Sequence, residues 1–104
     1  MLLQIERTGS PRGFRLVGEL DASNAGQLWD AISSELDQTG DLTLDLSGVT
    51  FMDSTAIQVL LRAGKRIDGR GHLVLYHPGT LVQNVLTLIK ADQLPGLKIV
   101  EEEP

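Results

Sequence analysis

The sequence predicts an α/β fold, a mixed β-sheet opened by a β-hairpin with helices packed against it. Three observations lead there. Short runs of apolar–polar alternation recur along the chain, stretches with apolar residues at helical spacing fall between them, and Gly- or Pro-containing turns separate one from the next. In order the pattern reads β-β-α-β-α-β-α-β. Strands joined through helices lie parallel with right-handed crossovers, and the opening hairpin is antiparallel.

Each element has its own warrant. Leu2–Arg7 alternates Leu3 and Ile5 with Gln4 and Glu6, the turn formers Gly9-Ser10-Pro11-Arg12-Gly13 interrupt, and Phe14-Arg15-Leu16-Val17 resumes the strand. Ala25, Leu28, Trp29, Ile32 and Leu36 make one apolar helical stripe, with Ser23 or Asp21 available to cap its start and Gly40 to end it. Leu42-Thr43-Leu44-Asp45-Leu46 reads as an interior strand, Ser47-Gly48 as a break, and Val49-Thr50-Phe51-Met52 as a return toward the sheet. From Ser54 to about Asp68 a second helix places Ala56, Leu60, Ala63, Gly64 and Ile67 on one side and Arg62, Lys65 and Arg66 mostly on the other. His72–Tyr76 is a strand, and Leu81, Val82, Val85, Leu86 and Ile89 repeat with helical spacing. Leu97–Val100 is the last strand.

With 104 residues, 41% of them hydrophobic and 22% charged, the chain has room for one core and the composition of an ordinary globular domain. The expected division is a domain over residues 1–100 and an acidic tail over 101–104. No apolar run is long enough to cross a bilayer, and the start lacks the basic and apolar segments of a secretory signal, so a cytoplasmic location without membrane insertion is expected. The absence of cysteine excludes disulfides, thiol nucleophiles and thiolate metal sites. Of the net charge of −5, Glu101, Glu102 and Glu103 supply three negatives. An acidic balance offers no long-range attraction to nucleic acid or anionic membrane, so a protein partner is expected rather than direct nucleic-acid binding.

Few residues suggest catalysis. His72 and His77 are five apart around one strand and point to opposite faces, which argues against a shared metal. Asp45 and Asp53 lie on either side of a turn, with nothing to set an acid–base separation. Arg62, Lys65, Arg66 and Arg70 could form an anion patch, although cations near a helix C-terminus are also what the helix dipole favours. No glycine-rich phosphate loop or nucleophile elbow is present. What remains is Met52-Asp53-Ser54-Thr55-Ala56-Ile57, which delivers two hydroxyls to the first turn of a helix. Unpaired N–H groups and the positive dipole end accommodate a phosphate there, and a bare serine cap is the plainer alternative.

Three segments resemble the STAS domain family, specifically its stand-alone bacterial anti-sigma factor antagonists: Leu16-Val17-Gly18-Glu19-Leu20-Asp21, Leu44-Asp45-Leu46-Ser47-Gly48-Val49 and Phe51-Met52-Asp53-Ser54-Thr55-Ala56. The order of elements agrees through Val100. The family often has Gly at the place of Ala56 and Leu at that of Ile57. The resemblance implies a non-enzymatic binding module without cofactor or metal. Its unphosphorylated form would bind an anti-sigma factor serine kinase and free the sigma factor. Phosphorylation by that kinase would map onto Ser54 and end binding, and a serine phosphatase would reverse it. Asp21 and Asp53 map beside the acceptor, and Thr55 is the competing hydroxyl. The expected partner-binding set is Asp21, Ser23, Asn24, Asp53, Ser54, Thr55, Ala56, Ile57 and Gln58. Two alternatives stand beside this: a STAS regulatory subunit docking on the ATPase of an ABC lipid transporter, and a nucleotide-binding or weakly nucleotide-hydrolysing domain.

Overall fold

The computed structural model describes residues 3–101; Met1, Leu2 and the tail residues Glu102, Glu103 and Pro104 lie outside the described residues. Strands β1 (Gln4–Gly9) and β2 (Arg12–Leu20) form the hairpin, closed at Ser10-Pro11 by a cis peptide bond. Then follow α1 (Ala25–Ile32), β3 (Leu42–Met52), α2 (Ser54–Ile67), β4 (Leu73–Tyr76), α3 (Thr80–Leu88) and β5 (Leu97–Val100). Single 3-10 segments, Ser33–Asp37 and Ala91–Gln93, follow α1 and α3.

The strands lie in chain order, β1-β2-β3-β4-β5, antiparallel at the hairpin and parallel thereafter. Right-handed crossovers that all step the same way put α1, α2 and α3 on one face of the sheet. Register and burial agree with this one-sided arrangement. The row Phe14–Leu44–Leu75–Ile99 faces the helices, and its first three members are buried in the single core. The next row, Glu6–Arg15–Asp45–Tyr76–Val100, faces away, and its charged members are exposed or half-buried. Ala56, Leu60, Ala63, Gly64 and Ile67 are all buried, as their spacing predicts.

α2 approaches the sheet closely because two glycines meet. A Cβ on Gly64 would lie 2.6 Å from the Pro95 carbonyl oxygen, and one on Gly96 would lie 1.8 Å from the Gly64 carbonyl oxygen. Gly96 also has φ +72°, a left-handed conformation that glycine adopts without steric cost.

Three expectations need correction. The break at Ser47-Gly48 does not occur, and β3 runs through it to Met52. Two irregularities in its register with β2 absorb the extra residues as bulges, and Asp45 Oδ1 accepts the Ser47 N–H at 2.9 Å. The first helix does not continue as α-helix to Leu36. It ends at Ile32 and tightens into the 3-10 segment, where Ser33 and Ser34 have weak helix preference and Glu35 turns toward the hairpin. Leu81, placed in the apolar stripe of α3, is 68% exposed.

Glu35 ties that segment to the hairpin. Its carboxylate accepts from Arg12 at 3.0 Å and from Arg7 at 3.3 Å, and the side chain of Arg7 also lies over the Phe14 ring at 4.9 Å. The Arg12 bond, helped by Arg7 and opposed by burial, holds the Glu35 carboxyl below the usual carboxylate range. The folded value lies below the unfolded one, so this stabilisation is complete above the unfolded pKa and is lost as pH falls through the folded pKa. Glu35→Gln is expected to cost about 1.5–3 kcal/mol at neutral pH, the range for hydrogen bonds to a charged group, and to flatten the acid limb of the stability curve. Urea unfolding of both proteins between pH 7 and pH 3 checks this; parallel curves would contradict it.

Candidate functional site

β2 and β3 are parallel neighbours and end level with each other, Leu20 beside Met52. The loops that leave them therefore emerge side by side at one edge of the sheet, each running directly into a helix. The expected site residues divide between these two loops, and the fold brings them together.

Asp53 joins the two. Its backbone N–H donates to the Leu20 carbonyl at 3.0 Å. As N-cap of α2, it accepts the Ala56 N–H on Oδ1 at 3.0 Å, and its Oδ2 accepts the Ala22 N–H at 3.1 Å. One carboxylate thus satisfies an otherwise unpaired donor of the helix start and a donor of the neighbouring loop.

The first loop is organised differently from expectation. Neither Ser23 nor Asp21 caps α1 with its side chain; Asn24 occupies the cap position, and no side-chain cap bond forms there. Asp21 instead accepts from the Ser23 hydroxyl and from the Ser23 N–H, closing an Asx turn. Its backbone carbonyl accepts from the N–H groups of Asn24 and Ala25. The Ser23 hydroxyl is the main reason the Asp21 carboxyl sits below the usual range. Asn24 is buried, with Oδ1 accepting the Asp21 N–H and Nδ2 donating to the Glu19 carbonyl. Asn24 is thus a support for the loop rather than a surface group.

Past the cap, Ser54, Thr55 and Gln58 are exposed, Ala56 is fully buried and Ile57 packs half-buried against the core. Of this part of the expected set, Ser54, Thr55 and Gln58 present surface, whereas Ala56 anchors the first turn. The site has a neighbour that periodicity did not indicate: Phe51, at the end of β3, is 48% exposed.

The remaining candidates lie apart from this edge or are engaged elsewhere. Asp45 turns back on Ser47 and does not share a site with the carboxylate of Asp53. His72 Nδ1 lies 3.6 Å from Asp41. Arg66 grips Asp37 with two bonds of 3.0 and 2.8 Å, and Arg70 donates to the Leu36 and Arg66 carbonyls. Arg62 lies over the Trp29 ring at 4.0 Å. Among the described residues no group of three or more His, Cys, Asp or Glu side chains is placed to hold a metal ion, and no helix is long and apolar enough to cross a membrane.

This geometry defines a one-sided α/β domain that presents a capped pair of hydroxyls where two strand–helix loops meet. The chain belongs to the STAS domain family: the family model described as "Mlab, STAS domain" matches residues 3–101. Solved structures share the fold. The unphosphorylated anti-sigma factor antagonist SpoIIAA superposes with a TM-score of 0.69 at 19% identity, covering 98% of this chain and 90% of that one. An anti-sigma factor antagonist from Mycobacterium paratuberculosis gives 0.77 at 21% identity, covering 93% and 84%. A Thermotoga maritima protein assigned to the same class gives 0.73 at 24% identity, covering 96% and 86%. No curated protein matches the chain.

Removing the Asp53 carboxylate should release both loops at once. Asp53→Ala is expected to cost about 1–2 kcal/mol in urea unfolding, as for loss of an N-cap. It is also expected to speed amide exchange at Ala22 as well as at Ala56. Unchanged exchange at Ala22 would mean that the two loops are not coupled through this side chain.

Proposed function

We propose that this protein is an anti-sigma factor antagonist, a module that binds an anti-sigma factor kinase until Ser54 is phosphorylated. The observation that carries the reading is the placement of Ser54. It is exposed at the first position of α2, directly after the capping Asp53, on an edge that also carries Asp21. The fold it shares with proteins described as anti-sigma factor antagonists supports the same direction.

The electrostatics suit a switch of this kind. A phosphate on Ser54 adds about −1.5 to −2 charge at pH 7, next to a carboxylate already committed to the Ala56 and Ala22 N–H groups. The positive end of α2 offsets that by about 0.3–1 kcal/mol, so the domain itself tolerates the modification. A partner carboxylate about 4 Å away would meet repulsion of about 4 kcal/mol per unit charge pair at an effective dielectric of 20. Since about 1.4 kcal/mol is tenfold in affinity, a fraction of that empties the complex. Asp21, Ser23, Thr55, Ile57 and Gln58 form the surrounding footprint. Asn24 and Ala56, both buried, hold the two loops in place beneath it.

Affinity capture from native lysate, with and without ATP, tests the reading. The expected result is retention of an anti-sigma factor kinase that phosphorylates Ser54 and then lets go. Ser54→Asp should lower affinity at least about tenfold, and Ser54→Ala should preserve it. Mass spectrometry placing the phosphate solely on Thr55 would refute the assignment, as would equal affinities of the two Ser54 variants. Retention of a transporter ATPase would replace the sigma-factor partner with an ABC transporter. Calorimetric binding of free nucleotide would favour the nucleotide-binding alternative.

A further inference from the structure

Arg62 lacks the carboxylate partner that four of the other five arginines have. Arg7 and Arg12 are paired with Glu35, and Arg66 and Arg70 with Asp37. Among the described residues no carboxylate pairs with Arg62, although the chain carries a net charge of −5. Its guanidinium is held over Trp29 at 4.0 Å, with Arg66 near the same ring at 5.8 Å. An arginine stacked on an aromatic ring keeps its in-plane N–H donors available for a carboxylate, and the ring limits the freedom it would otherwise lose on binding.

The position of this cation relates it to Ser54. Thr55, Gln58, Val59 and Arg62 fall at successive turns of α2 and line a shallow groove of about 290 Å³. Ser54 precedes Thr55 in the first turn of α2, and Arg62, eight residues on, is about 12 Å down the helix axis. The sign of the partner's charge then follows from the switch. Phosphate on Ser54, next to Thr55 of the groove, would hold a basic segment more tightly and repel an acidic one, and only the second outcome ends binding on phosphorylation.

We propose that the groove receives an acidic helical segment of the protein partner, with a carboxylate bound by Arg62 on its Trp29 platform and the rest of the segment passing over Ser54. This rests on the reading that phosphorylation of Ser54 terminates binding. It adds the chemistry of the partner surface and two residues, Trp29 and Arg62, outside the footprint given above.

Trp29 is the only tryptophan of the chain, so its emission reports on the Arg62 guanidinium that lies over it and lines the groove. The probe is a synthetic amphipathic helical peptide with glutamates along one face, titrated at low ionic strength against a matched lysine peptide. The glutamate peptide is expected to change Trp29 emission saturably and to shift the Thr55 and Gln58 amide resonances, with no such response to the lysine peptide. Arg62→Gln should weaken the resonance-detected affinity about fivefold, the size of one partly exposed ion pair, and Ser54→Asp should weaken it as well. No saturable response, or equal affinity of Arg62→Gln and the parent protein, overturns the proposal. Failure here is distinguishable from failure of the functional reading: if a kinase modifies Ser54 and is thereby released, yet binds Arg62→Gln as tightly as the parent, only the acidic-segment inference falls.

Discussion

The long parallel pairing of β2 with β3 is the constraint on which the rest of the molecule depends. It is the longest shared register in the sheet and ends with Leu20 beside Met52. Because the two strands finish level, the loops beyond them are neighbours despite about thirty residues of intervening chain. Asp53 then needs only a short reach to serve both the start of α2 and the N–H of Ala22. If the bulges in β3 were absent, Met52 would not stand beside Leu20, and the same carboxylate would cap one helix and nothing more.

Strand order adds a second constraint. A sheet wound in one direction buries one face under α1, α2 and α3 and leaves the other to solvent, so the core must be built from a single layer of inward side chains on each strand. The leucines Leu16, Leu42, Leu44, Leu46, Leu73 and Leu75, all fully buried, supply that layer. Charged residues such as Arg15 and Lys98 can then alternate with them at no desolvation cost. The candidate site lies at the edge where strand ends and helix starts meet, and it is composed of loops carried on rigid elements.

Much of this was legible from residue order because period and burial coincide. Leu42, Leu44 and Leu46 alternate as one strand face, and Ala56, Leu60, Ala63 and Ile67 recur as one helix face. Asp53 was readable as a residue preceding a helix start. What escaped was set by groups distant in sequence or lacking a side-chain signature. The second acceptor of Asp53 is used by a backbone N–H at Ala22, which any residue but proline could supply. The end of α1 at Ile32 depends on Glu35 finding Arg7 and Arg12 in the hairpin, 28 and 23 residues away. The strand through Ser47-Gly48 looks like a turn locally, yet pairing with β2 overrides that preference. Arg62 read as one more cation near a helix end, and its distinction appeared only when Trp29 was found beneath it.

The close approach of Gly64 to Gly96 bears on how the domain can transmit information. α2 is held at its start by Asp53, along its length by backbone seated against backbone, and near its end by the grip of Arg66 on Asp37. A helix seated in this way has no room to slide or tilt by small increments, since each displacement would drive main-chain atoms together. Charge placed at its N-terminus is therefore not dissipated as movement. It would persist as a local change of surface potential, so a modification there would act as ink on a fixed printing plate rather than by bending the metal.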